Sequence, residues 1–205
     1  MILTWLGHAC FALESGAERV ILDPFKGVPG FADAAGEADA VYCSHGHFDH
    51  CYTEHIRIRA GGASRFSVRE VKSFHDDAGG AKRGGNTIRI LTAEGITVVH
   101  LGDLGHPLSA EQISDIGACD VLLLPTGGTY TVDAAAAKKV ADAIAPRVIV
   151  PMHYRRGEQG FEVLQTVEEF AAQFAAEEVH WLEGNCVALS DEVLARGGVV
   201  VPKYQ

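Results

Sequence analysis

Ser44-His45-Gly46-His47-Phe48-Asp49-His50 places three histidines and one carboxylate within six positions. Imidazole nitrogens and carboxylate oxygens are ligands for borderline and hard divalent ions. The preceding Ala40-Val41-Tyr42-Cys43 reads as a short buried strand that delivers the cluster at its carboxyl end. In extended backbone, residues i and i+2 point the same way, so His45 and His47 can grip one ion together. Asp49 and His50 follow a turn at Gly46 and can face a second ion. Four side chains on one ion leave no position for water or substrate. Divided between two, they leave each ion an open position, as catalysis requires. A closed structural zinc site usually recruits C-x-x-C pairs, and this sequence has none.

The 205 residues are 47% hydrophobic, ample for a packed core in one domain over residues 1–205, or in two closely fused halves. Seventeen Lys and Arg face 27 Asp and Glu, a net charge of −10. A polyanion-binding surface has the opposite balance, so the expected partner is a small molecule and not nucleic acid. The five cysteines, Cys10, Cys43, Cys51, Cys119 and Cys186, are odd in number and follow no framework spacing. They predict reduced thiols in a cytoplasmic protein. Residues 1–9 show no basic leader or cleavage pattern. No apolar run approaches the roughly 20 residues of a membrane span. Homo-oligomerisation stays open.

Along the chain, residues 1–6, 9–14 and 19–22 read as strands, with a turn at Ser15-Gly16-Ala17. Residues 25–40 read as a loop. Residues 50–59 read as a short helix ended by Gly61-Gly62, and 66–74 as an extended run ending at His75. The glycine-rich stretch 79–85 reads as a flexible loop and lacks the G-K-[ST] ending of a phosphate loop. Residues 86–92 and 96–101 form a hairpin. The rest alternates helix and strand. Ser109 with Gln112, and Thr166 with Glu169, are capping boxes. Asp133 caps a helix with Ala137, Val140, Ala141 and Ile144 on one face, ended by Pro146. Strands are expected at 120–124, 148–150, 179–182, 186–189 and 199–201.

His45, His75, Asp103 and His153 each follow a hydrophobic, strand-like run. Strand ends laid side by side bring such residues together from distant sequence positions. Asp103 supplies what imidazoles lack, a negative charge that can bridge two cations and reduce their repulsion. His8 and Asp23 end early strands and are expected to hydrogen-bond the ligands. His100 alternates out of phase with Asp103 and is read as structural. His106 and Tyr154 closely follow ligands and are candidates to protonate a leaving group. Lys82 and Arg83 are candidates to recognise an anionic substrate. His55 and His180 show no partner signal.

The H-x-H-x-D-H order at 45–50, with Trp5-Leu6-Gly7-His8-Ala9, Asp23-Pro24, His75, Gly102-Asp103 and Pro151-Met152-His153-Tyr154, resembles the metallo-β-lactamase superfamily. The resemblance covers nearly the whole chain. It is strongest to the branch of ascorbate-6-phosphate lactonase and the N-acyl-phosphatidylethanolamine phospholipase D group. It implies a four-layer αββα sandwich, two mixed sheets face to face with helices outside. It also implies that His45, His47 and His75 hold one ion, and that Asp49, His50 and His153 hold the other, with Asp103 between them. Zinc is the leading metal, with manganese or iron as alternatives. The β-lactamases that named the superfamily carry cysteine where Asp103 stands, which turns the expectation away from antibiotic hydrolysis.

The activity implied is hydrolysis of a small ester, lactone or phosphodiester by a metal-bridging hydroxide, with Asp49, Asp103 and His106 as catalytic residues. Two rivals use the same residues: an iron-loaded redox or dioxygenase enzyme, and a non-catalytic metal-binding protein.

Overall fold

Strands β1 (Ile2–Gly7), β2 (Cys10–Ser15) and β3 (Glu18–Leu22) run antiparallel in sequence order. Along them Leu3, Trp5, Phe11, Leu13, Val20 and Leu22 enter one large buried cluster. Cys10, Ala12 and Ile21 enter a smaller one. A strand's period of two produces this division when both faces of its sheet are covered. The computed structural model describes residues 1–59 and 64–205.

The chain continues through β4 (Gly36–Ala38), β5 (Ala40–Tyr42), β6 (Ile56–Ile58), β7 (Ser67–Phe74), β8 (Gly85–Ala93) and β9 (Ile96–His100). Then follow α1 (Ala110–Ile116), β10 (Val121–Pro125), α2 (Ala134–Ile144), β11 (Val148–Met152) and α3 (Val167–Ala171). Last come β12 (Val179–Trp181), β13 (Cys186–Ala188), α4 (Asp191–Arg196) and β14 (Gly198–Val201).

Two mixed sheets result, one in the order β13-β1-β2-β3-β5 and one in the order β12-β14-β11-β10-β9-β8-β7. In the larger sheet β7, β8 and β9 are antiparallel, whereas β9, β10, β11, β14 and β12 are parallel. Every residue of β10 and β11 is buried. Central parallel strands covered on both faces read as such continuous apolar runs. Helix α2 packs on β10 and on α3, and α1 packs on β7. The outer face of the smaller sheet is covered differently. Phe25, Val28 and Ala34, with Ala38 of β4 and Ile56 of β6, close over Cys10, Ala12 and Ile21. The expected α/β sandwich of two mixed sheets is present.

Several local expectations change. Residues 50–59 hold no helix; Ile56–Ile58 pairs parallel with Gly36–Ala38, inside the stretch read as a loop. Ile56 is buried here while Arg57 and Ile58 face outward, and β-branched residues favour extended backbone. The expected stop at Gly61-Gly62 lies outside the described residues. Both capping boxes form as expected. Helix α3 ends at Ala171, and Phe174 packs on Phe170 from beyond it, with ring centroids 5.2 Å apart. Helix α4 went unread, although Ser190 caps it and Asp191 and Glu192 suit its first turn.

Leu123 is fully buried in β10. Leu123→Ala is expected to cost about 2–5 kcal/mol of stability. Urea denaturation should show a lower midpoint with an unchanged slope.

Candidate metal centre

The end of β5 leads into His45, His47, Asp49 and His50. His75 follows β7, Asp103 follows β9, and His153 follows β11. His8 follows β1, and Asp23 follows β3. The site is therefore assembled from strand ends of both sheets. Three groups of ligand atoms result: His45, His47 and His75; His8, Asp49, His50 and His153; and His45, His50 and Asp103. Within each group the atoms lie within 4.8 Å of one another. His45 Nε2 and His47 Nδ1 are 3.0 Å apart, although residues 44–47 form a bend and not the extended segment expected from the sequence.

Asp103 sits between the first two groups. Its Oδ2 lies 3.1 Å from His75 Nε2, 3.3 Å from His153 Nε2 and 4.0 Å from His45 Nε2. Its Oδ1 lies 3.1 Å from His50 Nε2, yet neither atom has a hydrogen-bond partner in acceptable geometry. Both His8 nitrogens, His75 Nδ1 and His153 Nδ1 are also buried without partners among the described residues. Buried polar atoms left this way cost about 1–3 kcal/mol each. A set of close, converging and unpaired nitrogen and oxygen atoms suits divalent cations.

The ionisation states of His8, His45, Asp49 and Asp103 agree with that use, and His50 is the exception. Burial, helped by neighbouring His50, pushes His45 down to about 4. Burial and His153 push His8 down to about 3. Both imidazoles are thus in the neutral, ligating form. Burial opposes charge on His50, but the Asp103 and Asp23 carboxylates outweigh it and push His50 well up. Burial likewise opposes ionisation of Asp103, but His153 and His50 hold its carboxyl well below the usual range. Asp49 is also held low, because contacts with His8 and His50 overcome its burial.

A supporting shell fixes these side chains. Asp23 Oδ2 accepts from His50 Nδ1 at 2.7 Å and from the Ser44 hydroxyl at 2.6 Å. Asp23 Oδ1 accepts the Ser44 N–H at 2.6 Å. With Nδ1 so engaged, His50 presents Nε2 to the site. Asn86 accepts the Asp103 N–H at 3.0 Å and donates to Ser73 Oγ and the Leu101 carbonyl. His100 donates to the Ala9 carbonyl at 2.8 Å and accepts the Gly102 N–H, the structural part expected of it. His8, Asp23 and His153 all adopt positive φ, at 51°, 44° and 53°. Non-glycine residues in this region cost about 1–3 kcal/mol each and cluster at functional sites. Gly127 permits a close approach: a Cβ there would strike the His153 carbonyl.

The ligands open into a cavity of about 620 Å³, lined on that side by His47, Asp49, His75, Asp103 and His153. Residues 2–153 match the sequence pattern of the beta-lactamase superfamily domain, a match that ends on the last candidate ligand.

The chain belongs to the beta-lactamase superfamily.

Within this superfamily it falls with the UPF0173 metal-dependent hydrolases. It is 33% identical over 193 residues to the one from Archaeoglobus fulgidus, covering 75% of this chain and 83% of that protein. It is 30% identical over 185 residues to the one from Thermoplasma acidophilum, covering 74% of this chain and 82% of that protein. A candidate zinc-dependent hydrolase of the metallo-β-lactamase superfamily from Thermotoga maritima is similar in structure. It superposes with a TM-score of 0.79 at 36% identity, covering 100% of this chain and 99% of that one.

Against this superfamily frame, the structure corrects three expectations. His106 does not reach the ligand cluster. Its Nε2 accepts the Phe74 N–H at 3.1 Å, its Nδ1 lies 2.7 Å from the Pro107 carbonyl, and it lines a different cavity beside Gln112. With both nitrogens engaged there, it is no proton donor for this site. Tyr154 buries its hydroxyl and packs on Trp5, away from the cavity lining. Cys43 and Cys51 form a disulfide that brackets the 44–50 motif, while Cys10, Cys119 and Cys186 are free. The odd count concealed one pair whose two Cα atoms the loop brings to 5.3 Å.

Lys82 pairs with Asp77 at 2.6 Å, whereas Arg83 lines the metal cavity. The glycine-rich loop is also tied down. Asp76 accepts four backbone N–H groups, from Ala78, Gly80, Lys82 and Arg83. Sequence reading passed over Asp76 and Asn86. An aspartate opening a glycine-rich stretch was the available signal for the first. Among the described residues, no helix is long and apolar enough to cross a membrane.

Asp23→Asn keeps a residue type that tolerates positive φ but removes the charge behind His50. Metal affinity is expected to fall about 10–100-fold, measured by chelator competition. Cys51→Ser opens the loop closed by the disulfide and should lower stability by about 2–3 kcal/mol, measured by denaturant unfolding.

Proposed function

We propose that this chain is a dinuclear metal-dependent hydrolase acting on a small ester, lactone or phosphodiester. The observation that carries this reading is the central place of Asp103, in contact with His75 on one side and with His50 and His153 on the other. His45, His47 and His75 form the seat for one ion. Asp49, His50 and His153 form the second, with Asp103 shared. The nitrogen and oxygen donors suit zinc, and also manganese or iron. When bound, such ions supply Lewis acidity and lower the pKa of water.

The chain's own residues set the rest. Asp49 and Asp103 place two negative charges against the cations. Asp49 keeps 14% of its side chain exposed at the cavity and is held ionised, so its carboxylate can accept a hydrogen bond from water there and orient it. His8 Nε2 lies 3.6 Å from Asp49 Oδ2, close to the carboxylate but beyond hydrogen-bond distance. His47 is exposed, so the three-histidine seat faces the side from which substrate arrives. Leu101 and Leu104, close to Asp103 in sequence, are fully buried and keep its strand end dry.

Chelation should abolish hydrolysis of lactone, ester or phosphodiester substrates, and divalent metal should restore it. Metal analysis should give two ions per chain. Asp103→Asn and His47→Ala should each lower kcat/KM by more than the roughly 10–100-fold typical of changes one shell further out. Activity unchanged in His47→Ala would refute metal catalysis. Iron-dependent oxygen uptake without hydrolysis would establish the redox alternative.

A further inference from the structure

The cavity over the ligands has a second wall of different character. Phe48, Tyr130 and Phe161 line it together with Arg83. Phe48 is 54% and Tyr130 38% exposed. Aromatic side chains left open around one cavity mark a surface for an apolar group.

Arg83 is the arginine that lines this cavity, and with Arg65, Arg69, Arg155 and Arg196 it is one of those that no carboxylate pairs among the described residues. Arg19, Arg57, Arg59, Arg89, Arg147 and Arg156 each lie within ion-pair distance of a carboxylate. Arg83 has no such partner among the described residues, in a chain of net charge −10. Its place is nevertheless fixed. Its backbone N–H is held by Asp76 at 2.7 Å. One guanidinium nitrogen donates to the Thr129 carbonyl at 3.1 Å, and the group lies 5.5 Å over the Tyr130 ring. Thr129 adopts a φ of 58°, rare for a β-branched residue, and its hydroxyl donates to the Val163 carbonyl at 2.7 Å. A guanidinium has five N–H donors, so most remain for an anion. Lys82 is turned to Asp77, which leaves one cation at the rim and favours one negative charge over two.

We propose that the substrate is an amphiphilic monoanion. It carries an apolar arm that packs on Phe48, Tyr130 and Phe161, and a carboxylate, separate from the bond that is cut, that Arg83 binds. This rests on reading the cavity as the hydrolytic site. Arg83 is then a specificity-determining residue.

Two measurements separate this inference from the hydrolase reading itself. In the first, metal-stripped full-length protein is titrated with 4-phenylbutanoate, 4-phenylbutan-1-ol and acetate by calorimetry. The phenylbutanoate should bind tightest. Arg83→Gln should weaken it about 10- to 100-fold, the value of a hydrogen bond to a charged group, and leave the alcohol within about twofold. Tyr130→Ala should weaken both aromatic probes. In the second, metal-loaded enzyme is given monophenyl glutarate and phenyl butanoate, which differ in the terminal carboxylate. The glutarate should be preferred in kcat/KM, and Arg83→Gln should remove the preference through KM with kcat little changed. Arg83→Lys should restore part of it. A preference for the neutral probes, or one that survives Arg83→Gln, would overturn the proposal. If neither ester is cut while phenylbutanoate binding depends on Arg83, the hydrolase reading fails, and the part of the inference that stands is recognition of an amphiphilic carboxylate by Arg83 and the aromatic wall.

Discussion

The buried carboxylate of Asp103 is the constraint on which the site depends. It is ionised, 1% exposed, and surrounded by imidazoles that approach it without satisfying it. A charge in that setting is costly unless something positive shares the space. The Asp103 and Asp23 carboxylates on either side of His50 outweigh its burial and favour its charged form. That arrangement is a substitute, because the same nitrogen is the atom that converges on the other ligands.

The rest of the fold can be understood as the means of presenting this charge. A sheet whose central strands are buried on both faces has little freedom to shift register. Loops leaving its strand ends therefore start from fixed points. The smaller sheet contributes the 44–50 motif, His8 and Asp23, and the larger contributes His75, Asp103 and His153. Contacts such as Ser44 to Asp23 and Asn86 to Asp103 then remove the remaining slack. Strained backbone at His8, Asp23 and His153 persists because packing over-determines it.

Much of this was legible in the sequence because the relevant signals are local. The H-x-H-x-D-H motif, the apolar runs before His75, Asp103 and His153, and both capping boxes each lie within a few residues. What was missed depends on distant partners. The pairing of β6 with β4 requires residues 36–38 to reach residues 56–58. The Cys43–Cys51 bond depends on a loop path that cysteine spacing does not disclose. His106 looked suitable by proximity to Asp103, but its ring is committed to Phe74 and Pro107. Proximity in sequence says little about direction at a strand end, where one residue changes the face presented.

Because the ligands descend from strands of both sheets, an ion seated among them fastens the two halves of the sandwich to each other. Occupancy and folding are then linked equilibria: each tenfold rise in free metal above the dissociation constant adds about 1.4 kcal/mol to the stability of the folded chain. A melting temperature recorded for this protein is thus a property of its buffer as much as of its sequence.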